Sequence, residues 1–289
     1  MNQGRHRSIW WAAPPINQGR LEFIQWLALA AMAIDHVGRF LLANASWMRA
    51  IGRFAFPLFA LVLAWRVSDM LWRNPLRDFR PMLARLLASG IAAEILFRLM
   101  TRPSILNVMF SFMLALLLIL LSLPDEGTSS LLDLGRLGRL VLALVLFLVA
   151  GRYVDYKWAG VAMICCLFVY FHHRSGLALL GALIALGVLT FDHPAHLAWA
   201  SAPVAALLVW VKAPWLRVKR PIRYLFYWVY PAHLLLIWIC FALGLRMASS
   251  PWIQFKPQPK RPAAVWQSPQ PATPNEAPTR SPPAVAPGR

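Results

Sequence analysis

Long apolar segments follow one another along most of this 289-residue chain, separated by short breaks rich in arginine, glycine or proline. A helix needs about 20 mostly apolar residues to cross a bilayer, and nine segments approach or reach that length. The pattern therefore predicts an all-α, polytopic transmembrane bundle of about nine helices; two short segments leave eight or ten open. The segments are 21–43, 50–67, 82–99, 103–124, 137–151, 158–171, 175–191, 196–211 and 223–245.

Composition also supports a transmembrane bundle. Hydrophobic residues make up 59% of the chain and charged residues 14%, against roughly 45–50% and about 25% in soluble domains. A net charge of +18 raises the question of nucleic-acid binding, but the basic residues cluster in short loops, where they set membrane orientation and meet lipid headgroups. Sixteen Lys and Arg fall on the side of the N-terminus and seven on the other. We expect a cytoplasmic N-terminus, a lipid bilayer around the bundle and no nucleic-acid partner.

The chain divides into three predicted regions. Residues 1–20 form a short cytoplasmic segment, and residues 21–250 form one transmembrane domain. From 251 to 289, eleven of 39 residues are proline; such a tail cannot bury a core and is expected to be extended or disordered. The three cysteines lack a C-x-x-C spacing, so no metal site is predicted.

A first polar cluster lies where the first two apolar segments meet. Asp35 and Arg39 are four residues apart, share a helix face and can pair. His36 points about 100° away from Asp35. In an antiparallel hairpin Arg53 falls at the depth of His36. Pro57 removes the hydrogen bond to the Arg53 carbonyl, so a kink is expected beside the histidine.

A second set of polar side chains falls in the outer half of the predicted bundle, apart from those of the last segment, where His233 lies near mid-membrane. Ionisable groups inside a membrane are costly and indicate functional sites, although ion pairs, snorkelling and interhelical hydrogen bonds explain such residues structurally. In the last segment Tyr230 and His233 are three residues apart and share a face. The set comprises Glu94, Asn107, Asp155, Tyr156, Tyr230 and His233.

Together these motifs resemble the TraX family, whose relatives include TrbP-type conjugal transfer proteins. The resemblance covers residues 21–245 and departs from the usual pattern at Lys157, where a small residue is expected, and in the proline-rich tail. It rests on Asn107 and on four motifs: Ile-Asp-His-Val-Gly at 34–38, Gly-Arg-Phe-Ala-Phe-Pro-Leu-Phe-Ala at 52–60, Val-Asp-Tyr at 154–156 followed by Trp-Ala-Gly-Val at 158–161, and Tyr-Pro-Ala-His-Leu at 230–234.

The resemblance implies a bacterial inner-membrane acetyltransferase that uses acetyl-CoA to acetylate the amino terminus of a conjugative pilin subunit. The TraX family is related to a wider superfamily of membrane acyltransferases, whose members have a histidine at the end of the first helix and an arginine in the next segment. Here these residues would be His36 and Arg53. The acyl donor would be acetyl-CoA, and no metal is implied.

A catalytic scheme follows as a hypothesis. His36 acts as general base or transient acyl carrier, Asp35 holds the surroundings of the imidazole and Arg39 in place, and Arg53 stabilises the oxyanion. The other polar residues named above support the site or bind substrate. The CoA phosphates would bind basic residues of the last inner loop, although the positive-inside bias is the better explanation of their charge: Arg217, Lys219, Arg220 and Arg223.

Three other functions fit the same residues. The first is a non-enzymatic membrane component of pilus assembly, in which the polar cluster is structural. The second is an acyltransferase acting on a glycan or lipid hydroxyl. The third is a small-solute or lipid transporter, which the absence of paired halves in the sequence disfavours.

Overall fold

The computed structural model describes residues 18–42, 44–73, 79–101, 105–123, 134–191 and 225–245. Within these ranges the regular secondary structure is helical, apart from one isolated bridge between Leu106 and Val154, and short turns join several of the helices. The predicted span at 196–211, the basic cluster at 217–223 and the proline-rich tail lie outside the described residues and stay predictions. The helices are α1 (Gln18–Phe40), α2 (Ser46–Gly52), α3 (Ala55–Arg73), α4 (Phe79–Met100), α5 (Val108–Ser122), α6 (Leu134–Ala150), α7 (Lys157–His173), α8 (Gly176–Phe191) and α9 (Leu225–Ala242).

The all-α class is confirmed over the described residues. By length and composition, one stretch of this part of the chain, Ser46–Trp72, is long and apolar enough to cross a membrane. Three shorter helical stretches are also apolar: Val108–Ser122, Gly176–Leu189 and Phe226–Ala242.

The first helix ends three residues before its predicted end at residue 43. The amide of Leu41 donates to the carbonyl of Val37 at 2.9 Å, and the amide of Ala45 donates to the carbonyl of Gly38 at 3.0 Å. Asn44 has φ +65°, a left-handed conformation that asparagine tolerates better than most residues. This compact reversal lays α2 alongside the end of α1.

The second predicted span, 50–67, is not one kinked helix. It is interrupted at Arg53 and Phe54, between the end of α2 and the start of α3. Pro57 therefore occupies the first turn of α3, where a backbone N–H would have no intrahelical partner and its absence costs little. The prediction of a kink was wrong, because the helix ends before the proline and a new one begins. Arg53 therefore lies in the turn between them, which we call the α2–α3 turn.

Two glycines allow α1 and α2 to approach closely. A Cβ atom added to Gly38 would lie 2.6 Å from the Cβ of Met48, and one added to Gly52 would lie 2.2 Å from the Cβ of Asp35. No pair of side chains tolerates such distances. The position of Asp35 against the α2–α3 turn thus depends on the missing side chain of Gly52.

Helix α3 runs through the core and packs against α1 and α7. Its side chains Phe56, Leu58 and Val67 are almost fully buried. Helix α5 contacts α4, α6 and α7, and α9 packs against α1 and α4. This arrangement gathers the end of α1, the α2–α3 turn and the start of α5 near the turn that precedes α7.

We expect Gly52→Ala to destabilise the protein by about 1–3 kcal/mol, because its methyl group overlaps Asp35 and forces α2 from α1. Thermal unfolding of the purified protein measures this effect. Gly138→Ala is the matched control, since a Cβ there meets nothing within 4 Å and alanine favours a helix. Equal melting temperatures for the two variants would contradict the close approach.

Candidate functional site

A cavity of about 430 Å³ lies among the end of α1, the α2–α3 turn, the segment before α5, the turn before α7 and helix α9. The structure brings most residues predicted for the site into its wall. Two others, Glu94 and His233, lie behind the wall and contact residues that form it. The predicted residues that line the cavity are Asp35, His36, Arg39, Arg53, Asn107, Asp155, Tyr156 and Tyr230.

Three guanidinium groups and two carboxylates line this cavity. They belong to Arg39, Arg49 and Arg53, and to Asp35 and Asp155. The balance is positive by one charge when all five are ionised. Such a wall favours an anion, or the negative oxygen that forms when a carbonyl carbon is attacked.

The ion pair predicted between Asp35 and Arg39 does not form. The Oδ1 atom of Asp35 lies 3.1 Å from Nε of Arg49, because α2 packs beside α1 and offers a nearer cation. The guanidinium of Arg39 instead lies 5.4 Å from the ring centre of Phe40 and 5.0 Å from that of Phe97. Aromatic faces stabilise a cation at such distances, so Arg39 is held without a carboxylate.

The partner of His36 is another histidine. Its Nδ1 atom lies 2.7 Å from Nε2 of His233, and the Nδ1 atom of His233 lies 2.9 Å from the carbonyl oxygen of Val229. His36 is 8% exposed. The sequence places His36 at the end of the first predicted span and His233 near mid-membrane. It did not pair them, since 197 residues separate them. The predicted role of Asp35 beside the imidazole is thus taken by His233.

Asn107 is the centre of a buried hydrogen-bond network. Its backbone N–H and its Nδ2 amide both donate to Oε2 of Glu94, at 2.9 and 3.0 Å. The amide also donates to the carbonyl of Gly90 at 2.9 Å, and Oδ1 accepts from the amide of Met109 at the start of α5. Arg98 donates to the other Glu94 oxygen at 2.7 Å. Each polar atom of the Asn107 side chain has a protein partner, so this network holds α4 to α5.

A short backbone clamp joins the segment before α5 to the turn before α7. The amide of Leu106 donates to the carbonyl of Tyr153 at 2.7 Å, and the amide of Asp155 donates to the carbonyl of Leu106 at 2.9 Å. The Ser111 hydroxyl donates to the Asp155 carbonyl. Burial raises the pKa of the Asp155 carboxyl above its usual range, while the Tyr156 backbone N–H and the Arg53 charge oppose this rise.

Tyr156 is directed at the cavity by an unusual backbone. Tyr156 and Lys157 have φ of +60° and +46°, a region that side chains rarely adopt and that often marks functional sites. The Tyr156 ring stacks on Phe56, with centroids 3.9 Å apart. A Cβ on Gly160 would lie 2.5 Å from the Cβ of Tyr156, so the glycine of the predicted Trp-Ala-Gly-Val motif makes room for this stack.

Sequence reasoning missed several residues of the cavity wall. Arg49 precedes Arg53 by four residues, a helical spacing that points both towards one face, and this signal could have found it. No sequence pattern distinguishes the apolar lining from ordinary core. The missed residues include Arg49, Phe59, Phe97, Ile105 and Leu106.

A second, smaller cavity of about 90 Å³ shares Met32, Phe59 and Tyr230 with the first. Its wall is mainly apolar and extends to Gln25 and Arg66. Gln25 and His36 are eleven residues apart on α1, or about 16 Å along the helix axis. Together, the two cavities therefore run along α1 from Gln25, near the start of the helix, to His36 near its end.

At the far end of this path lies a second polar cluster. The Nη2 atom of Arg66 donates to Oε1 of Glu22 at 2.8 Å and to Oε1 of Gln25 at 3.0 Å. Glu22 is 2% exposed. The cluster ties α1 to α3 and was not predicted from the sequence.

We expect Asn107→Asp to destabilise the protein, although aspartate caps helices as well as asparagine does. The new carboxylate replaces an amide that donates to Glu94 and to the Gly90 carbonyl, so acceptors would face one another within a buried network. A loss of about 1–3 kcal/mol is expected, measured as a lower melting temperature. Wild-type stability would show that the Asn107 amide does not hold α4 and α5 together.

Comparisons with known proteins agree on one family. A profile of the TraX protein family matches residues 20–241. Protein TraX of Escherichia coli (strain K12) is 46% identical over 50 residues, which are 17% of this chain and 20% of that protein. The matched stretch thus spans about a fifth of the curated relative, and no solved structure matches. Because the profile covers most of the sequence, the chain belongs to the TraX family.

Proposed function

We propose that this chain is an inner-membrane acetyltransferase that transfers the acetyl group of acetyl-CoA to the amino-terminal amine of a conjugative pilin subunit. One observation carries the proposal: a buried imidazole, His36, and the guanidinium of Arg53 line the same cavity. A base and an oxyanion stabiliser in one cavity are the two groups that acyl transfer requires.

The surface of the bundle supports a membrane location. Large aliphatic side chains on α6, α8 and α9 are exposed, including Leu144 at 57%, Ile184 at 59% and Leu236 at 62%. Exposed apolar surface costs about 25 cal/mol per Å² in water, and hydrocarbon removes that cost. Together with the apolar stretch Ser46–Trp72, these faces favour a multi-pass protein, which we orient with its N-terminus in the cytoplasm.

In the proposed reaction, a neutral amine attacks the thioester carbonyl of acetyl-CoA. His36 removes the proton of the amine as the C–N bond forms and the C–S bond breaks. The same proton then passes to the departing sulfur, giving an acetamide and free CoA. Arg53 stabilises the negative charge on the carbonyl oxygen, and Asp35 contributes by holding Arg49.

The small apolar cavity suits the donor. It extends from Gln25 and Arg66, near the start of α1, to Met32, Phe59 and Tyr230, which also line the larger cavity that contains His36. The pantetheine arm of CoA is a thin chain of comparable length to this path. In the proposed orientation the start of α1 faces the cytoplasm, where CoA is found. The basic residues predicted to bind its phosphates belong to the last predicted inner loop, which the same orientation assigns to the cytoplasmic side: Arg217, Lys219, Arg220 and Arg223. The pilin amino terminus would enter from the opposite face.

We expect His36→Gln to lower acetyl transfer by roughly 10²-fold or more, because glutamine keeps much of the side-chain volume but is not a base. The assay uses the reconstituted protein, acetyl-CoA and a pilin subunit, with one acetyl mass on the intact pilin as readout. His173→Gln is the control, since His173 is exposed at the end of α7 and lies outside both cavity walls.

Three results would contradict this proposal. Undiminished transfer by His36→Gln would remove His36 from catalysis. An unmodified pilin together with an acetylated glycan or lipid hydroxyl would refute the acceptor while keeping the chemistry. Pilin that stays unmodified in the presence of the wild-type protein and every acceptor offered would favour a non-enzymatic role in pilus assembly.

We expect Arg53→Lys to lose most activity although the charge is retained. A guanidinium offers several donors in a fixed plane, whereas an ammonium is a compact, strongly hydrated charge. The loss should be mainly in kcat, since the oxyanion exists only during reaction. Steady-state kinetics tests this with Arg152→Lys as control, because Arg152 is exposed and lies outside both cavity walls. Equal kcat values for the two variants would count against Arg53.

A further inference from the structure

The two histidine rings form an in-plane hydrogen bond rather than a stack. Their planes differ by 7° and their centroids are 5.0 Å apart, yet Nδ1 of His36 and Nε2 of His233 are only 2.7 Å apart. Rings stacked face to face could not bring two nitrogens so much closer than their centres. The rings therefore meet edge to edge, with a lone pair on one nitrogen and a hydrogen on the other.

The backbone of α9 decides which nitrogen carries the hydrogen. The Nδ1 atom of His233 lies 2.9 Å from the carbonyl oxygen of Val229, and a carbonyl only accepts hydrogen bonds. His233 must therefore be protonated on Nδ1. In the neutral ring its Nε2 then carries a lone pair, so Nδ1 of His36 must be the donor.

Neutral rings are the stable state of this pair at rest. His36 is almost fully buried, and Arg39 and Arg49 line the same cavity. Burial and neighbouring cations both disfavour a charged imidazole. With its Nδ1–H committed to His233, neutral His36 has one remaining lone pair, on Nε2. His36 lines the cavity and His233 does not, so this lone pair is the one available to a substrate.

We propose that His233 is a positioning residue that fixes the tautomer of His36 and shares its charge during the reaction. This inference rests on the proposed acetyl transfer for its catalytic meaning and on the geometry alone for the tautomer. When Nε2 of His36 takes the proton of the amine, the His36 ring becomes an imidazolium. Its Nδ1–H then donates to the Nε2 lone pair of His233, which stabilises the new charge until the proton leaves for the sulfur.

The neutral partner suits this place in the fold. A carboxylate at position 233 would be a buried charge, costly in an apolar bundle, and would compete with the substrate oxyanion for the nearby guanidiniums. Tyr230, one turn before His233 and 2% exposed, flanks both rings at centroid distances of 6.2 and 5.5 Å. The pair is thus held by aromatic and backbone contacts rather than by charge.

The first test reads the tautomer directly. Nitrogen-15 NMR of full-length wild-type protein labelled at histidine, in lipid nanodiscs, distinguishes protonated from bare ring nitrogens. Spectra of His36→Gln and His233→Gln assign the signals. We expect both histidines to carry hydrogen on Nδ1 and a bare Nε2. A hydrogen on Nε2 of His36, or a doubly protonated His233 at neutral pH, would overturn the proposal without reference to any activity.

The second test separates positioning from packing. Glutamine at 233 places an amide oxygen where Nε2 of histidine lies and still accepts from His36, whereas leucine keeps apolar volume and accepts nothing. We expect His233→Leu to lower kcat by roughly 10²-fold or more with little change in KM, and His233→Gln to recover most of the loss. Equal kcat values for the two variants, at equal melting temperatures, would overturn the positioning role.

The two tests distinguish failure of the proposed function from failure of the inferred role of His233. If the wild-type protein transfers no acetyl group, the proposed function fails while the NMR result on the tautomer stands. If transfer occurs and the tautomer is the reverse of that inferred, the function survives and the role of His233 does not.

Discussion

A polar side chain inside an apolar helical bundle is stable only when another element supplies its partner, and this constraint shapes the whole site. His36 on α1 is paired with His233 on α9, and Asp35 on α1 lies against Arg49 on α2. The start of α5 is held to α4 through Asn107. Each pair joins two elements, so the polar contacts that make the cavity also fix the positions of the helices around it.

Pairing also separates structural groups from reactive ones. The side chain of Asn107 uses its acceptor and both donor contacts on the protein, so substrate binding there would break the link between α4 and α5. His36 uses one ring nitrogen in its contact with His233, and its ring lines the cavity. A group with one committed and one available site is both oriented and reactive, which is the property a general base needs.

Over the described residues the sequence predicted most of the helices, because apolar runs bounded by arginine, glycine and proline have few alternatives; the span at 50–67 is instead two helices. It placed His36, Arg53 and Asp155 in one half of the bundle by counting depth along helices. It did not find the His36–His233 pair, since a contact between the first and last helices depends on rotation about each axis. It also paired Asp35 with Arg39. Spacing shows that two residues of one helix can meet, but the cation nearest to Asp35 is Arg49 of α2. The position of α2 depends in turn on Gly52.

The charge of the cavity has a consequence for the acceptor. Three guanidiniums against two carboxylates make the approach of an ammonium unfavourable, so an amine enters more readily in its neutral form, which is also the nucleophilic form. An α-amino group has a pKa of about 8 and a lysine amine one of about 10.4, so near neutral pH an α-amine loses its proton at much smaller cost. The proposed transfer converts a neutral amine and a neutral imidazole into an oxyanion beside Arg53 and an imidazolium beside His233, with no change in net charge. A positive cavity with a neutral base thus favours a chain terminus over a lysine side chain, and it does so through electrostatics before any contact with the rest of the substrate.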